Sequence, residues 1–191
     1  MKIKNVVGHF RTVCIHRFWV CYYCFKCGLY WQGLTHDLSK FSPTEFVESV
    51  KYYTGTSSPI DLCKKENGYS IAWLHHKGVN KHHYEYWQDN FDKGTTHLPM
   101  PYKYVLEMIC DFLGAGRAYY GKSFTLEKEY EWWENNKDKK SAMNQYTKQI
   151  VEYYMQRFSI DKSIVSLTDK DLRLSIKENY ISMLGWENSL L

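Results

Sequence analysis

The sequence predicts an all-helical fold in a single domain, and three observations carry that expectation. Proline is scarce, at 4 of 191 residues. No strand-turn-strand rhythm recurs along the chain. Apolar residues return instead at three- and four-residue steps over long stretches, the period of a helix buried on one face. The length favours one domain and is enough to bury a sizeable core. We place that core at about 6–158, with a helical C-terminal extension over 159–191, so that 1–191 forms one helical bundle.

Each element follows from local signals. Val6 to Tyr30 reads as one long apolar-rich helix, closed by Gly28 and a turn at Gly33. A second helical piece carries Leu34 to Lys40. Ser42-Pro43 opens a third helix, with Ser42 as cap, Pro43 at the first position and Glu45 at the third; it runs to about Tyr53. Thr54 to Pro59 reads as a loop. A helix from about Tyr69 carries Trp73, His75 and His76 until Gly78 interrupts it. Asn80 can cap the next, which holds His82, His83, Tyr84 and Trp87. Asp89 to Met100 reads as a loop, and Pro101 opens a periodic helix with Val105, Met108, Ile109, Phe112 and Leu113. Helices follow over Thr125 to Asn136 and Ser141 to Phe158. The last runs from Thr168 to Leu184, with Asp169 and Asp171 in its first turn, where acidic groups oppose the helix dipole.

Composition narrows the class. Apolar residues make up 44% and charged residues 24%, which fits a globular chain and excludes a disordered one. Aromatics reach 17%, with 17 Tyr and 7 Trp, so many must be buried with partners for their polar atoms. A net charge of +4 suits an anionic small molecule and leaves nucleic acid open without requiring it. Six cysteines, four of them crowded at Cys14, Cys21, Cys24 and Cys27, fit a reducing, cytoplasmic setting better than a disulfide framework. The most apolar run, Phe18 to Phe25, is too short to span a bilayer, and no signal-peptide pattern follows it.

The chemistry lies in the histidines. His36-Asp37 sits between Gly33 and Ser42-Pro43, an irregular setting in which adjacent side chains can reach one cation. Alone, the dipeptide reads better as an incidental pair in a surface turn. His75, His76, His82 and His83 then place four imidazoles within nine positions, with His75 to His82 and His76 to His83 each seven apart. Clustered neutral imidazoles are a ligand signature for Mn, Fe, Co, Ni or Zn; the plain alternative is polar histidines packed against Trp73 and Trp87. Asp111 lies in an apolar helical segment, where an ionised carboxylate is costly unless it is paired or bound to a cation. A salt bridge to Arg117 or a lysine is the other way to pair it. His16, between Ile15 and Phe18, joins the set as a ligand only because these partners exist.

Taken in order, His16, His36-Asp37, the paired histidines and Asp111 resemble the His…His-Asp…His…His…Asp series of the HD superfamily, all-helical proteins that are mainly metal-dependent phosphohydrolases and phosphodiesterases. His36-Asp37-Leu38-Ser39-Lys40 is similar to the His-Asp-x-Gly-Lys form of its cyclic-dinucleotide phosphodiesterases, with Ser39 in place of glycine. The longer string from His36 to Phe46, the His75 to His83 stretch and Cys110 to Ala118 resemble more closely an uncharacterised family of bacteria and phages, over roughly residues 10 to 155.

The resemblance implies that His16, His36, Asp37 and Asp111 hold one metal, with Asp37 bridging. His75 or His76, with His82 or His83, would hold a second. One or two divalent transition ions are expected, with Mg as a further candidate. Lys40 would face a substrate phosphate, Arg117 would clamp a second phosphate oxygen, and a spare histidine such as His76 or His83 would protonate the leaving group. The expected substrate is a small anionic phosphate ester, a nucleotide by preference, with no membrane partner and with homo-oligomers allowed. Two other readings stay open: a di-iron oxygenase on the same scaffold, and a metal-stabilised nucleotide-binding module without turnover. Cys21-x-x-Cys24-x-x-Cys27 reads as cysteines packed on a helix face rather than a metal knot. Gly114-Ala115-Gly116 lacks a preceding strand and a following Lys-Ser/Thr, and reads as a close helix approach rather than a phosphate loop.

Overall fold

A computed structural model describes residues 2–92 and 94–185. Residues 1, 93 and 186–191, the last of which end the expected C-terminal extension, lie outside the described residues. Ten α-helices and one small hairpin make up the described chain: α1 (Ile3–Lys26), α2 (Tyr30–Thr35), α3 (Pro43–Lys51), α4 (Pro59–Asn67), α5 (Ile71–Val79), β1 (Gln88–Phe91), β2 (Gly94–His97), α6 (Tyr102–Tyr120), α7 (Leu126–Asn136), α8 (Gln145–Asp161), α9 (Val165–Thr168) and α10 (Lys170–Leu184). The fold is mostly helical, as expected.

The centre of the fold is the seam between α1 and α6. The first turns its buried face, Val13, His16, Val20, Tyr23 and Cys24, towards the second, which buries Val105, Leu106, Ile109, Cys110 and Leu113. Gly114 sets how close they come. A Cβ there would lie 2.4 Å from Val20 Cγ2, 3.1 Å from Val20 N and 3.3 Å from the His16 carbonyl oxygen. Any side chain at this position would push the two backbones apart, and glycine lets them touch. The close-approach reading of this small-residue segment therefore holds at Gly114. The core continues outwards through Trp133, Val151, Tyr154, Met155, Phe158 and Tyr180.

Several helix starts follow the local code. The Ser42 hydroxyl accepts the Glu45 N–H at 3.4 Å, with Pro43 at the first position of α3. Asp169 accepts the Leu172 N–H at 2.8 Å to open α10. At α5 the Ser70 hydroxyl accepts the Trp73 N–H at 3.0 Å. The Glu48 carboxylate, brought over from α3, accepts the N–H groups of Ile71 and Ala72, both at 3.1 Å. Four free donors at a helix start need such acceptors.

Three expectations are corrected. Pro59 does not close a loop but opens α4, which Gly68 ends in the left-handed conformation at φ +82°. Gly78 does not interrupt α5: the helix runs to Val79 and Asn80 ends it, so His82 and His83 lie in a turn, followed by a 3-10 turn over Tyr84–Tyr86, rather than on another helix. The stretch expected as a loop contains an antiparallel hairpin, pairing Gln88 with His97 and Asp89 with Thr96. Its second strand is mostly exposed and polar, so no alternation of buried residues announces it. Tertiary contacts hold it, among them the Asn144 amide donating to the His97 carbonyl at 2.8 Å.

All six cysteines are free; Cys24, Cys27 and Cys110 are core residues, whereas Cys14 is exposed. Among the described residues no helix is long and apolar enough to cross a membrane.

Candidate metal centre

His36 and Asp37 stand at a break in the chain. Helix α2 ends at Thr35, His36 is extended, and Asp37 adopts the left-handed conformation at φ +53°, ψ +27° before a 3-10 turn over Leu38–Phe41. Few residues other than glycine tolerate this region, aspartate being one of them, and such backbone concentrates at functional sites. Arg17 of α1 clamps the break. Its Nε donates to the His36 carbonyl at 2.7 Å and its guanidinium reaches the Leu34 carbonyl at 3.0 Å. Adjacent side chains can thus converge where a regular helix would splay them.

Around this break lie two groups of ligand-type atoms, each group within 4.8 Å of one another: His16, His36, Asp37 and Asp111 in one, and Asp37, His76, His82 and His83 in the other. Asp37 belongs to both, and its two oxygens divide the work. Oδ2 faces His16 Nε2 at 3.2 Å and His36 Nε2 at 3.3 Å. Oδ1 faces His76 Nε2 at 3.3 Å and His82 Nε2 at 3.4 Å. Asp111 Oδ1 completes the first group, 3.1 Å from His16 and 3.3 Å from His36. No salt bridge joins it to Arg117 among the described residues; α6 delivers Asp111 to the histidines instead. His83 Nε2 closes the second group, 2.9 Å from His76 Nε2.

Hydrogen bonds join His16 Nε2 to Asp37 Oδ2 and His76 Nε2 to His83 Nε2, but other atoms here are unsatisfied. His36 Nε2, Asp37 Oδ1 and His82 Nε2 are buried with no hydrogen-bond partner. Unpaired buried polar atoms are expensive and rare. Here all three point at the same two spots. Donors bound to one metal at about 2.0–2.2 Å stand about 2.8–3.6 Å from each other between octahedral and tetrahedral angles, a span that contains these spacings. Imidazole nitrogens and carboxylate oxygens are also the donors a divalent transition ion takes. The residues fit such a cation.

Two carboxylates absent from the His-Asp series orient the imidazoles. Glu107, one turn before Asp111 on α6, lies 3.0 Å from His36 Nδ1 and 3.3 Å from His82 Nδ1. It can accept both Nδ1–H groups, which leaves the Nε2 lone pairs facing the centre. His36, His82 and Glu107 form a third ligand-type group, which these bonds explain without a further ion. Glu45 does the same on the other side, its Oε2 lying 2.7 Å from His76 Nδ1.

The doubled histidines are thereby separated. His75, whose Nδ1 lies 2.7 Å from Glu45 Oε1, is one-third exposed and outside both groups, whereas His76, His82 and His83 face the centre. Arg117 is also elsewhere. Its guanidinium is sandwiched 4.8 Å from the Trp19 ring and 4.6 Å from the Phe124 ring, and its Nε donates to the Tyr23 hydroxyl. Lys40 lies beside the ligands, its ammonium 2.6 Å from Asp37 Oδ2.

Electrostatics keep the donors in ligand form. Burial would raise the Asp37 carboxyl, but the charges of His36, Lys40 and His76 and the hydrogen bond from His16 outweigh it and hold it well below the usual range. Asp111 is likewise held down against burial by the His16 and His36 imidazoles beside it. Burial, then His36, lowers His82; burial, then His82 and His76, holds His83 well below its ordinary value. Those two imidazoles are neutral with lone pairs available. His36 is the exception: burial opposes its protonation, yet Asp37, Asp111 and Glu107 raise it well above the ordinary value. One proton thus balances part of the negative charge that a metal would balance in its place.

No curated protein and no solved structure matches the chain. Residues 5–157, which hold every group named above, match DUF5662, a family of unknown function, and the chain belongs to that family.

Proposed function

We propose that this chain is a metal-dependent phosphohydrolase or phosphodiesterase of the HD type, acting on a nucleotide or a related phosphate ester. One observation carries the reading: Asp37 offers one oxygen to each of two ligand groups at a strained break in the chain. That is how a carboxylate is placed to bridge two ions. His16, His36, Asp37 and Asp111 would hold one, and Asp37, His76 and His82, with His83, the other. Bound divalent ions would supply a water acidified towards neutral pH and a Lewis acid for the phosphoryl oxygens.

The remaining chemistry falls to the chain. Lys40, one-quarter exposed beside Asp37, is a compact cation placed to offset charge on a non-bridging oxygen as water attacks phosphorus in line. His83 is half-buried and held neutral. In that state its lone pair would serve the second ion, while the attacking water would lose its proton to solvent and the leaving group would take one from it. Elemental analysis of the purified protein, followed by a hydrolysis screen of nucleotides and cyclic dinucleotides with Mn, Co, Ni and Mg, tests the reading. Bound metal and phosphate-ester cleavage are expected. Bound iron with oxygen uptake and no hydrolysis would replace it with an oxygenase, and tight metal without any turnover would leave a binding module.

A further inference from the structure

Beyond the metal centre, a half-buried lysine stands among aromatic rings without an ion pair among the described residues. Lys140 follows a 3-10 turn over Lys137–Lys139 at the end of α7. Its ammonium is surrounded by three rings, 5.5 Å from the centroid of Tyr84, 5.6 Å from Phe112 and 5.4 Å from Trp132. Two of those rings belong to the immediate chain neighbours of candidate ligands, since Tyr84 follows His83 and Phe112 follows Asp111. The charge of Asp111, a candidate ligand, also acts on this ammonium.

Among the described residues the Lys140 ammonium makes no ion pair and no hydrogen bond, and three aromatic rings surround it. Ring faces attract a cation but do not replace its water as an anion would. Burial lowers its pKa, while Glu85, Asp111 and Asp61 pull the other way from beyond ion-pair range. Lys40, by contrast, already has Asp37.

We propose that Lys140 and its ring cage form a subsite for a second phosphate of the substrate, remote from the reacting phosphorus, so that the protein takes oligophosphates such as nucleoside di- and triphosphates in preference to single-phosphate esters. This rests on the phosphohydrolase reading and assigns to Lys140 the second anion contact that the sequence placed at Arg117.

Equilibrium titration with inorganic tripolyphosphate and with orthophosphate in excess Mg2+, followed by tryptophan fluorescence, tests it. In the wild type tripolyphosphate should bind at least about tenfold more tightly, the contribution of one charge-assisted contact. Lys140→Met keeps the packing against the rings and should bring the two affinities close together while leaving orthophosphate binding unchanged; Lys140→Arg should restore the preference. A preference that survives Lys140→Met, or a lowered melting temperature in that variant with the ratio unchanged, would make Lys140 a packing residue and overturn the proposal. So would a wild type that shows no preference, even if it hydrolyses monoesters. A Lys140-dependent preference without phosphate release under any metal would keep the subsite and remove the hydrolase.

Discussion

Two buried polar networks in this molecule, one of hydroxyls on backbone groups and one of imidazoles and carboxylates, differ in completeness. In the first, where α6, α8 and α10 meet, the Tyr102 hydroxyl bonds the Tyr154 hydroxyl at 2.8 Å and donates to the Arg173 carbonyl at 3.0 Å. Tyr180 donates to the Met100 carbonyl at 2.8 Å and meets the Thr147 hydroxyl at 3.1 Å, which in turn accepts the Met100 N–H at 3.0 Å. Each of these hydroxyls has a protein partner. In the second, the imidazole Nε2 atoms stand 3.1–3.4 Å from the Asp37 and Asp111 oxygens, and three of these atoms remain unpartnered. A closed network is glue that holds helices in register; an open one holds its atoms ready for something that arrives from outside. Polar burial alone does not mark a site, but convergent incompleteness does.

The largest expected break is at Asp37. Asparagine tolerates the same left-handed backbone, so Asp37→Asn should keep the helical circular dichroism while losing bound metal and any turnover. Metal retained at the wild-type level would sink the bridging assignment. Glu107→Gln should weaken metal binding about 10- to 100-fold, the usual cost of removing the carboxylate behind a ligating imidazole; competition against a calibrated chelator reads it.

Glu129 sharpens the comparison on the stability side. Burial, with the charge of Asp111, raises its pKa to about 8 from 4.5. A group raised in this way is unpenalised while both states are protonated, below about 4.5, and its contribution is lost as pH rises through about 8. Glu129→Gln stays neutral throughout. Relative to the wild type it should gain nothing at pH 4 and roughly 2 to 3 kcal/mol at pH 7, measured by denaturant melts of chelated protein. An equal gain at both pH values would refute the mechanism. The smallest effect belongs to the closed network: Tyr102→Phe should cost about 1 to 2 kcal/mol of stability with metal content unchanged. A loss of metal there would mean that the two networks are coupled.

The legibility of the site tracks the range of each signal. Asp111 could be read because an ionised carboxylate in an apolar helix needs a partner. Glu107 carries the same signal one turn earlier, between Leu106 and Met108, but it falls outside the ordered His-Asp series that draws attention to Asp111. Glu45 was visible only as the third residue of a capped helix, and its grip on His76 depends on α3 packing against α5. The choice of His76 over His75 had no local cue. Both sit in a short amphipathic helix, and only the position of Glu45 and Asp37 decides which ring faces inwards. The unread helix α4 had its cues in Pro59 and Gly68, masked by the loop-like residues before it.

By itself the sequence determined the helical class, many of the element boundaries and the kinds of donor atom on offer, because caps, prolines and three-to-four-residue periodicity act within a turn or two of chain. Tertiary structure alone decided which donors converge, that His76 rather than His75 faces inwards, and that Lys140 stands caged without an anion among the described residues. Those outcomes depend on helices distant in sequence meeting across seams such as the one at Gly114, and the separation of two backbones in space is not encoded in the period of either one.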